Sequence, residues 1–305
     1  MGAPGLLVVT GAFGYTGRYI TRRLLAMGER VRTLTAHPNR PDPFAGRVEV
    51  APLAFEDPAR LARDLEGAAI LYNTYWIRFP YRTLTYDTAV ENTKVLFRAA
   101  EAAGVRRVVH VSITNASEAS PLPYFRGKGE LERWIMGSRL SYAIVRPTVV
   151  FGPEDVLINN IAWCLRRFPV FAVPGAGDYR LQPIFAEDLA EIAVDAGQAE
   201  TNSVTDAVGP EVFTFDALVS LIRATIQGRA RIVHVHPQVA LWLSRMIGYA
   251  LRDVVLTRDE VAGLMANLLV SAGPPTGKMH LTQWLAANAH QVGVRYASEL
   301  ARHYR

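Results

Sequence analysis

The chain has 305 residues, half of them hydrophobic, and a formal charge of +5. That length fits one large α/β unit or two domains, and no apolar run approaches the ~18–20 residues a membrane-spanning helix needs. The single cysteine, Cys164, excludes an internal disulfide and a cysteine-built zinc site. Basic residues come in pairs (Arg22-Arg23, Arg106-Arg107, Arg166-Arg167) rather than in the clustered stripe that suits nucleic acid. The opening MGAPGLLVV lacks a basic n-region, and Leu6 breaks the myristoylation pattern, so a cytoplasmic protein is expected.

The first part alternates strand and helix. Strands are predicted at 6–10, 31–35, 48–53, 70–74, 105–112 and 142–145. Helices are predicted at 15–27, 58–65, 85–103 and 124–136, the third closed by Gly104. Continuous apolar strands between amphipathic helices imply a doubly wound parallel sheet covered on both faces. After Phe151-Gly152-Pro153 the rhythm loosens. Helices are predicted at 159–167, 187–196, 214–226, 239–250 and 258–270, around a loop with short strands, VFAVPGAGDYRLQPI. The expected organisation is a Rossmann-like α/β domain over 1–150, to which later segments return. A smaller, mostly helical substrate lobe would follow over 151–305, above the carboxyl edge of the sheet where such folds bind ligands.

One turn carries the first functional signal. VVTGAFGYTGRYITRRLLAMG places Gly11, Gly14 and Gly17 between a strand and a helix. The first glycine permits the tight turn, the second a close approach of pyrophosphate, and the third tight packing of helix on strand. The helix N-terminus offers free amides and a positive dipole end. Dinucleotide binding is therefore expected at Gly11, Ala12, Phe13, Gly14, Tyr15, Thr16, Gly17 and Arg18, with Thr74 and Pro147 at later strand ends.

The spacing GxxGxxG, with Asn92 in AVENTKVLFRAAEAAGVRRVVHVS, YFRGK (Tyr124 to Lys128), VRPTVVFGP and IFAEDLA, resembles the short-chain dehydrogenase/reductase superfamily over nearly the whole chain. NTYWIRF, SPLPYFRGK and LQPIFAEDLA resemble its extended, atypical branch, which includes the NADPH-binding accessory subunit of respiratory complex I and nucleoside-diphosphate-sugar-epimerase-like proteins. The resemblance implies Tyr124 as acid/base, Lys128 as a cofactor and ribose anchor, a polarising hydroxyl from Thr114 or Ser112, and Asn92 in the supporting network. A free tyrosine has a pKa of about 10, so it needs a neighbouring ammonium to act near neutrality. Lys128 is one of only three lysines among 33 basic residues. A compact point charge suits the space under a ribose better than the wide arginine fork does.

The chain also departs from the pattern. Val149 and Leu181 stand where the sugar-nucleotide enzymes carry asparagine and arginine, although Arg180 is adjacent, and Ala54 replaces the adenine-contacting aspartate. Tyr75, Trp76, Phe79, Tyr81 and Tyr86 crowd one loop, which either tucks onto the core or walls an apolar or aromatic substrate pocket. His234 and His236 flank Val235 and are placed to share a strand face, but they lack a third ligand, so no metal is expected. Asp188 is expected as a structural anchor.

The second strand ends RTLTAHPNR, with no carboxylate before Asp42 to repel a 2′-phosphate and with His37, Arg40 and Arg18 at hand. NADP(H) is expected over NAD(H), which stays open. The leading expectation is an NADP(H)-dependent oxidoreductase acting on a carbonyl or alcohol. A sugar-nucleotide epimerase/dehydratase-like enzyme and a redox-silent NADPH-binding scaffold are the alternatives. A homodimer through the 85–103 and 124–136 helices is expected from Val95, Phe97, Leu131 and Trp134.

Overall fold

The structure, a computed structural model, describes residues 5–303. β1 (Leu6–Thr10) is buried along its whole length. It leads into α1 (Tyr15–Ala26), then β2 (Arg30–Thr35) and β3 (Val48–Pro52). α2 (Pro58–Leu65) starts with proline in its first turn, and the Asp57 side chain accepts the Arg60 amide, two standard stabilisers of a helix start. β4 (Ala68–Asn73) is followed by α3 (Tyr86–Ala102), capped by Thr85 through the Thr88 amide and closed by Gly104 at φ +71. β5 (Arg107–Val111), α4 (Pro123–Met136) and β6 (Ser141–Pro147) complete the alternation.

The remaining elements, in chain order, are β7 (Val150–Phe151), α5 (Leu157–Arg167), β8 (Val170–Pro174), β9 (Arg180–Leu181), β10 (Ile184–Phe185), α6 (Ala186–Gln198) and β11 (Ser203–Ala207). Then come β12 (Phe213–Thr214), α7 (Phe215–Thr225), β13 (Arg231–Val235), α8 (Pro237–Leu251), α9 (Arg258–Met265), α10 (Leu281–Asn288) and α11 (Glu299–His303).

Among the described residues the main sheet has seven strands in the order β11-β6-β5-β4-β1-β2-β3. β1 to β6 pair in parallel throughout, the doubly wound order of a Rossmann-like α/β fold. α2, α3 and α4 pack side by side, and Leu61, Leu71, Leu96, Phe97, Val108, Leu131 and Ile144 build the core beneath them. Phe97 and Leu131 are fully buried there, and Trp134 stacks on Phe97 at 5.6 Å. Val95 packs against the same core, so all four apolar side chains expected at a dimer surface serve the core of one chain.

The chain divides into two compact units, residues up to 147 with 189–206, and 148–188 with 207 onward. Arg107 shows how the later segment returns to the sheet. Its buried guanidinium donates to the carbonyls of Ala196 (2.9 Å) and Thr201 (2.7 Å) and to Ser141 Oγ (2.6 Å). In the second unit, β8 pairs in parallel with β13 and β7 with β10. Its core gathers Phe151, Ile158, Leu181, Leu218, Ile222 and Leu285. Asp188 Oδ2 accepts the Lys278 and Met279 amides (2.7 and 2.8 Å), the anchoring role expected of it.

Three local expectations are corrected. α9 ends at Met265, five residues early, because Asn267 takes φ +56 and Leu269 turns away to bridge Leu181. His234 and His236 do not share a strand face: His234 pairs with Asp216 (2.9 Å), and His236 lies past β13 and caps α8. α10 and α11 lie in a stretch where no helix is expected, and α10 draws its stability from burying Leu281, Trp284 and Leu285 rather than from a clear sequence pattern.

Candidate functional site

The glycine turn is built backbone against backbone. Gly11 sits at φ +65, a conformation costly for any residue with a Cβ. The Gly14 amide donates to the Gly11 carbonyl at 2.8 Å. A Cβ on Gly17 would lie 2.3 Å from the Gly11 oxygen and 2.8 Å from its carbon, so only glycine lets α1 start this close to the end of β1. The Gly11 and Ala12 amides bind the Leu34 carbonyl (2.9 Å) and Thr33 Oγ1 (3.0 Å) of β2. Tyr15, Thr16 and Gly17 open α1 with no side-chain cap. Their amides lie at the positive end of the helix dipole, where an anion is favoured. Arg18 Nη2 donates to the Phe13 carbonyl at 3.2 Å, which holds it along the turn.

The loop after β2 presents positive charge. The His37 amide binds Thr35 Oγ1 (3.0 Å), and the Arg40 amide binds the His37 carbonyl (3.3 Å). Both carboxylate oxygens of Asp42 are engaged by the Phe44 and Gly46 amides at 2.7 Å, and Phe44 packs near Phe13. The Arg40 Nη2 atom is buried without a hydrogen-bond partner, and burial lowers the pKa of this guanidinium. An unpaired donor of this kind favours an anionic ligand.

A buried polar relay joins β1, β4 and β5. Thr10 Oγ1 donates to Asn73 Oδ1 (3.1 Å) and accepts the Thr74 and Tyr75 amides (2.8 and 3.0 Å). Thr74 Oγ1 donates to the Thr10 carbonyl at 2.6 Å. The Asn73 amide nitrogen lies 3.1 Å from His110 Nδ1, so donation by Asn73 puts the imidazole proton on Nε2. Burial, with a smaller contribution from Lys128, holds His110 well below its ordinary pKa and keeps it neutral.

α4 carries Tyr124, Lys128 and Glu132 at four-residue intervals, one above another on one face. Lys128 is 2 % exposed. Its Nζ donates to the Val111 carbonyl at 2.7 Å and lies 4.4 Å from the centre of the Trp76 ring. Burial pushes its pKa down to about 7, against the pull of Glu132. The glycines flanking it have a steric cause. A Cβ at position 127 would come 3.1 Å from Trp76 Cη2, and one at 129 would come 2.5 Å from the Ser117 carbonyl carbon.

Tyr124 is half-buried and meets Trp76 and Tyr86 edge-on at 5.8 and 5.9 Å. The aromatic loop thus makes a small core of its own. Phe79 and Tyr86 are buried, and the Tyr86 hydroxyl donates to the Arg78 carbonyl. Glu132, also buried, accepts the Ser112 hydroxyl and is gripped by Arg146, whose Nε lies 2.9 and 3.1 Å from its two oxygens. Thr114 Oγ1 donates toward the Arg146 and Pro147 carbonyls (3.0 and 3.2 Å). Asn92 donates to the Tyr75 hydroxyl at 3.1 Å.

The first unit therefore gathers Tyr124 and Lys128 around Trp76, Ser112 with Glu132 and Arg146, and the glycine turn with Arg18. Asn92 stands with Tyr75 in the aromatic loop. Trp76 as the seat of Lys128, Glu132, Arg146, Asn73 and His110 are additions that local pattern does not mark, apart from the four-residue step from Lys128 to Glu132.

Residues 11–155 match a protein family described as NAD(P)H-binding. This segment is an NAD(P)H-binding domain. The chain is 24 % identical over 282 residues to subunit 9 of the NADH dehydrogenase [ubiquinone] 1 alpha subcomplex of Arabidopsis thaliana, covering 86 % of this chain and 70 % of that one. It is 31 % identical over 191 residues to a ceramide reductase of Caulobacter vibrioides, covering 62 % and 59 %. Its fold is that of the NADPH-dependent quinone oxidoreductase QOR2 of Escherichia coli, with a TM-score of 0.73, 20 % identity, and 93 % and 98 % of the two chains covered. These likenesses bear out the resemblance to the extended, atypical branch of the short-chain dehydrogenase/reductase superfamily.

Burial of Lys128 in the NAD(P)H-binding domain sets a pH dependence. Between about pH 7 and the ordinary lysine value of 10.5, the unfolded chain binds a proton that the folded chain lacks. Stability contributed at this site therefore rises with pH across that window, by up to about 1.4 kcal/mol per pH unit. Urea unfolding at pH 6 to 10 should show the parent gaining on Lys128→Met as pH rises; parallel curves would contradict the buried ammonium.

Proposed function

We propose that the protein is an NADP(H)-dependent oxidoreductase of the short-chain dehydrogenase/reductase type, acting on a carbonyl or alcohol of an apolar substrate. The observation that carries this reading is the meeting of Tyr124 and Lys128 on one indole, Trp76. The chain's own groups fit the cofactor. Gly17 lets α1 start hard against the end of β1, the first amides of α1 have no side-chain cap, and Arg40 keeps a buried donor unpaired. Bound there, the cofactor would supply or accept hydride.

The protein's part is then proton transfer and placement. Tyr124 gives or takes the proton at its hydroxyl, general acid–base chemistry of the usual kind. Lys128, when protonated, favours the phenolate by proximity, and the Val111 carbonyl and Trp76 fix where its charge sits. Glu132, held by Arg146, sets the field at Lys128 and fixes Ser112 as a support. Thr114 polarises a substrate oxygen once its proton leaves the Arg146 and Pro147 carbonyls. Trp76, Tyr86 and Tyr124 offer an aromatic wall, and the ceramide reductase relative supports an apolar substrate. Leu181 is fully buried among apolar side chains, so it supplies no donor to a sugar diphosphate, which weakens the epimerase reading.

The second reading is a redox-silent NADPH-binding subunit. It is favoured by the closed hydrogen bonding of Lys128, Ser112 and Thr114 and by the complex I relative. Tyr124→Phe separates the two. On long-chain ketones, the oxidoreductase reading expects turnover with NADPH that falls about 10²–10⁴-fold in the variant while NADPH affinity is kept. NADPH binding without turnover in the parent favours the silent subunit.

The absence of a carboxylate between the end of β2 and Asp42 and the unpaired Arg40 nitrogen point to a 2′-phosphate. Calorimetry is expected to show NADPH binding more tightly than NADH, with Arg40→Ala costing NADPH about 10-fold or more and NADH little. Equal affinities in the parent would remove the NADP(H) assignment.

A further inference from the structure

α8 is inverted with respect to its composition. The residues it buries are Ala240, Ser244 and Gly248, spaced by four, so a ridge of small side chains faces the protein. The approach is close: a Cβ on Gly248 would meet the Asp253 carbonyl oxygen at 2.5 Å. On the other side, Val239, Trp242, Met246 and Tyr249 are 45, 59, 54 and 88 % exposed. Their spacing of three, four and three makes one stripe along a helix about 22 Å long. A helix that only covers a core does the reverse, turning its large apolar residues inward.

The charge along this stretch of sequence has one sign. Between Asp216 and Asp253 the sequence has no carboxylate, and it carries Arg223, Arg229, Arg231, Arg245 and Arg252. Arg245 is exposed on α8 itself, Arg252 is exposed at its C-terminal end, and Arg229 and Arg231 are exposed just before β13 and at its start. Among the described residues no helix is long and apolar enough to cross a membrane.

We infer that α8 is a membrane-docking helix that lies in the surface of an anionic bilayer. Trp242, Met246 and Tyr249 enter the boundary between headgroups and acyl chains, and the arginines meet the anionic headgroups. Amphipathic rings of tryptophan and tyrosine prefer that boundary, and an apolar stripe with cationic neighbours is the pattern of interfacial helices. A second copy of the chain fits less well. A two-fold contact through this stripe would bring Arg245 toward its own counterpart, and α8 carries no carboxylate to receive it.

The test is co-sedimentation of the full chain with vesicles of phosphatidylcholine alone and of phosphatidylcholine mixed with phosphatidylglycerol. Binding to the anionic vesicles is expected, weakening on neutral vesicles and at high salt. The Trp242→Ser, Tyr249→Ser double variant should lose more than about tenfold in binding, and Arg245→Gln about fivefold. These side chains are exposed, so the thermal melts of the variants should match the parent. In the unsubstituted protein, brominated acyl chains should quench part of the tryptophan fluorescence, and Trp242→Phe should remove that part. Failure to bind anionic vesicles, binding undiminished in the double variant, or a dimer in light scattering that the double variant dissolves would each overturn the inference. It is independent of the dinucleotide site, whose assignment stands or falls by cofactor titration.

Discussion

Everything at the carboxyl edge of the sheet depends on one close approach of backbone to backbone. α1 can begin directly after β1 only because position 17 lacks a Cβ that would press on the Gly11 carbonyl. That contact aims the uncapped start of α1 across the strand ends and ties the turn to β2 through Thr33 and Leu34. The loop with Arg40 on one side, and the Thr10–Asn73–His110 relay on the other, take their places from the same turn. The dinucleotide site we propose would thus be a consequence of sterics before it is a matter of charge.

The second constraint is a charge cluster between α4 and β6. Lys128, Glu132 and Arg146 lie where isolated charges are expensive, and each is answered: Lys128 by a carbonyl and an indole face, Glu132 by Ser112 and Arg146. Removing one member would strand the others, which is costlier than replacing the cluster whole. The glycines at 127 and 129 let the helix come close enough for this to happen. The same cluster serves both functional readings. It can tune Tyr124 for proton transfer, or it can lock the strand ends into a rigid platform for a cofactor that never reacts.

The doubly wound unit is legible in the sequence because its strands are continuous apolar runs and its helices carry local stop signals. Thr85 and Gly104, which bound α3, are such signals. The glycine turn and the Tyr124-Lys128 step are legible for the same reason: their meaning lies within a few residues. Glu132 continues the step, but its partners Ser112 and Arg146 come from other strands, and no local pattern joins the three. Trp76 reads as one aromatic among several until the fold lays it under Lys128. The second unit is harder, since α10 is short and depends on tertiary burial, and α9 stops where Asn267 turns left-handed rather than where hydrophobicity ends. In α8 a periodic apolar pattern suggests a core helix, while the small residues, not the large ones, are the buried face.

The central claim is that the turn from Gly11 to Gly17 receives the pyrophosphate of a nicotinamide dinucleotide. It is tested most directly by titrating NADPH into protein labelled with ¹⁵N at glycine and following the amide resonances. The account predicts that Gly11, Gly14 and Gly17 shift together and saturate with a single affinity, while Gly248 and Gly293 of the second unit stay in place. NADPH binding that leaves the three turn glycines unmoved, or no binding at all, would contradict it.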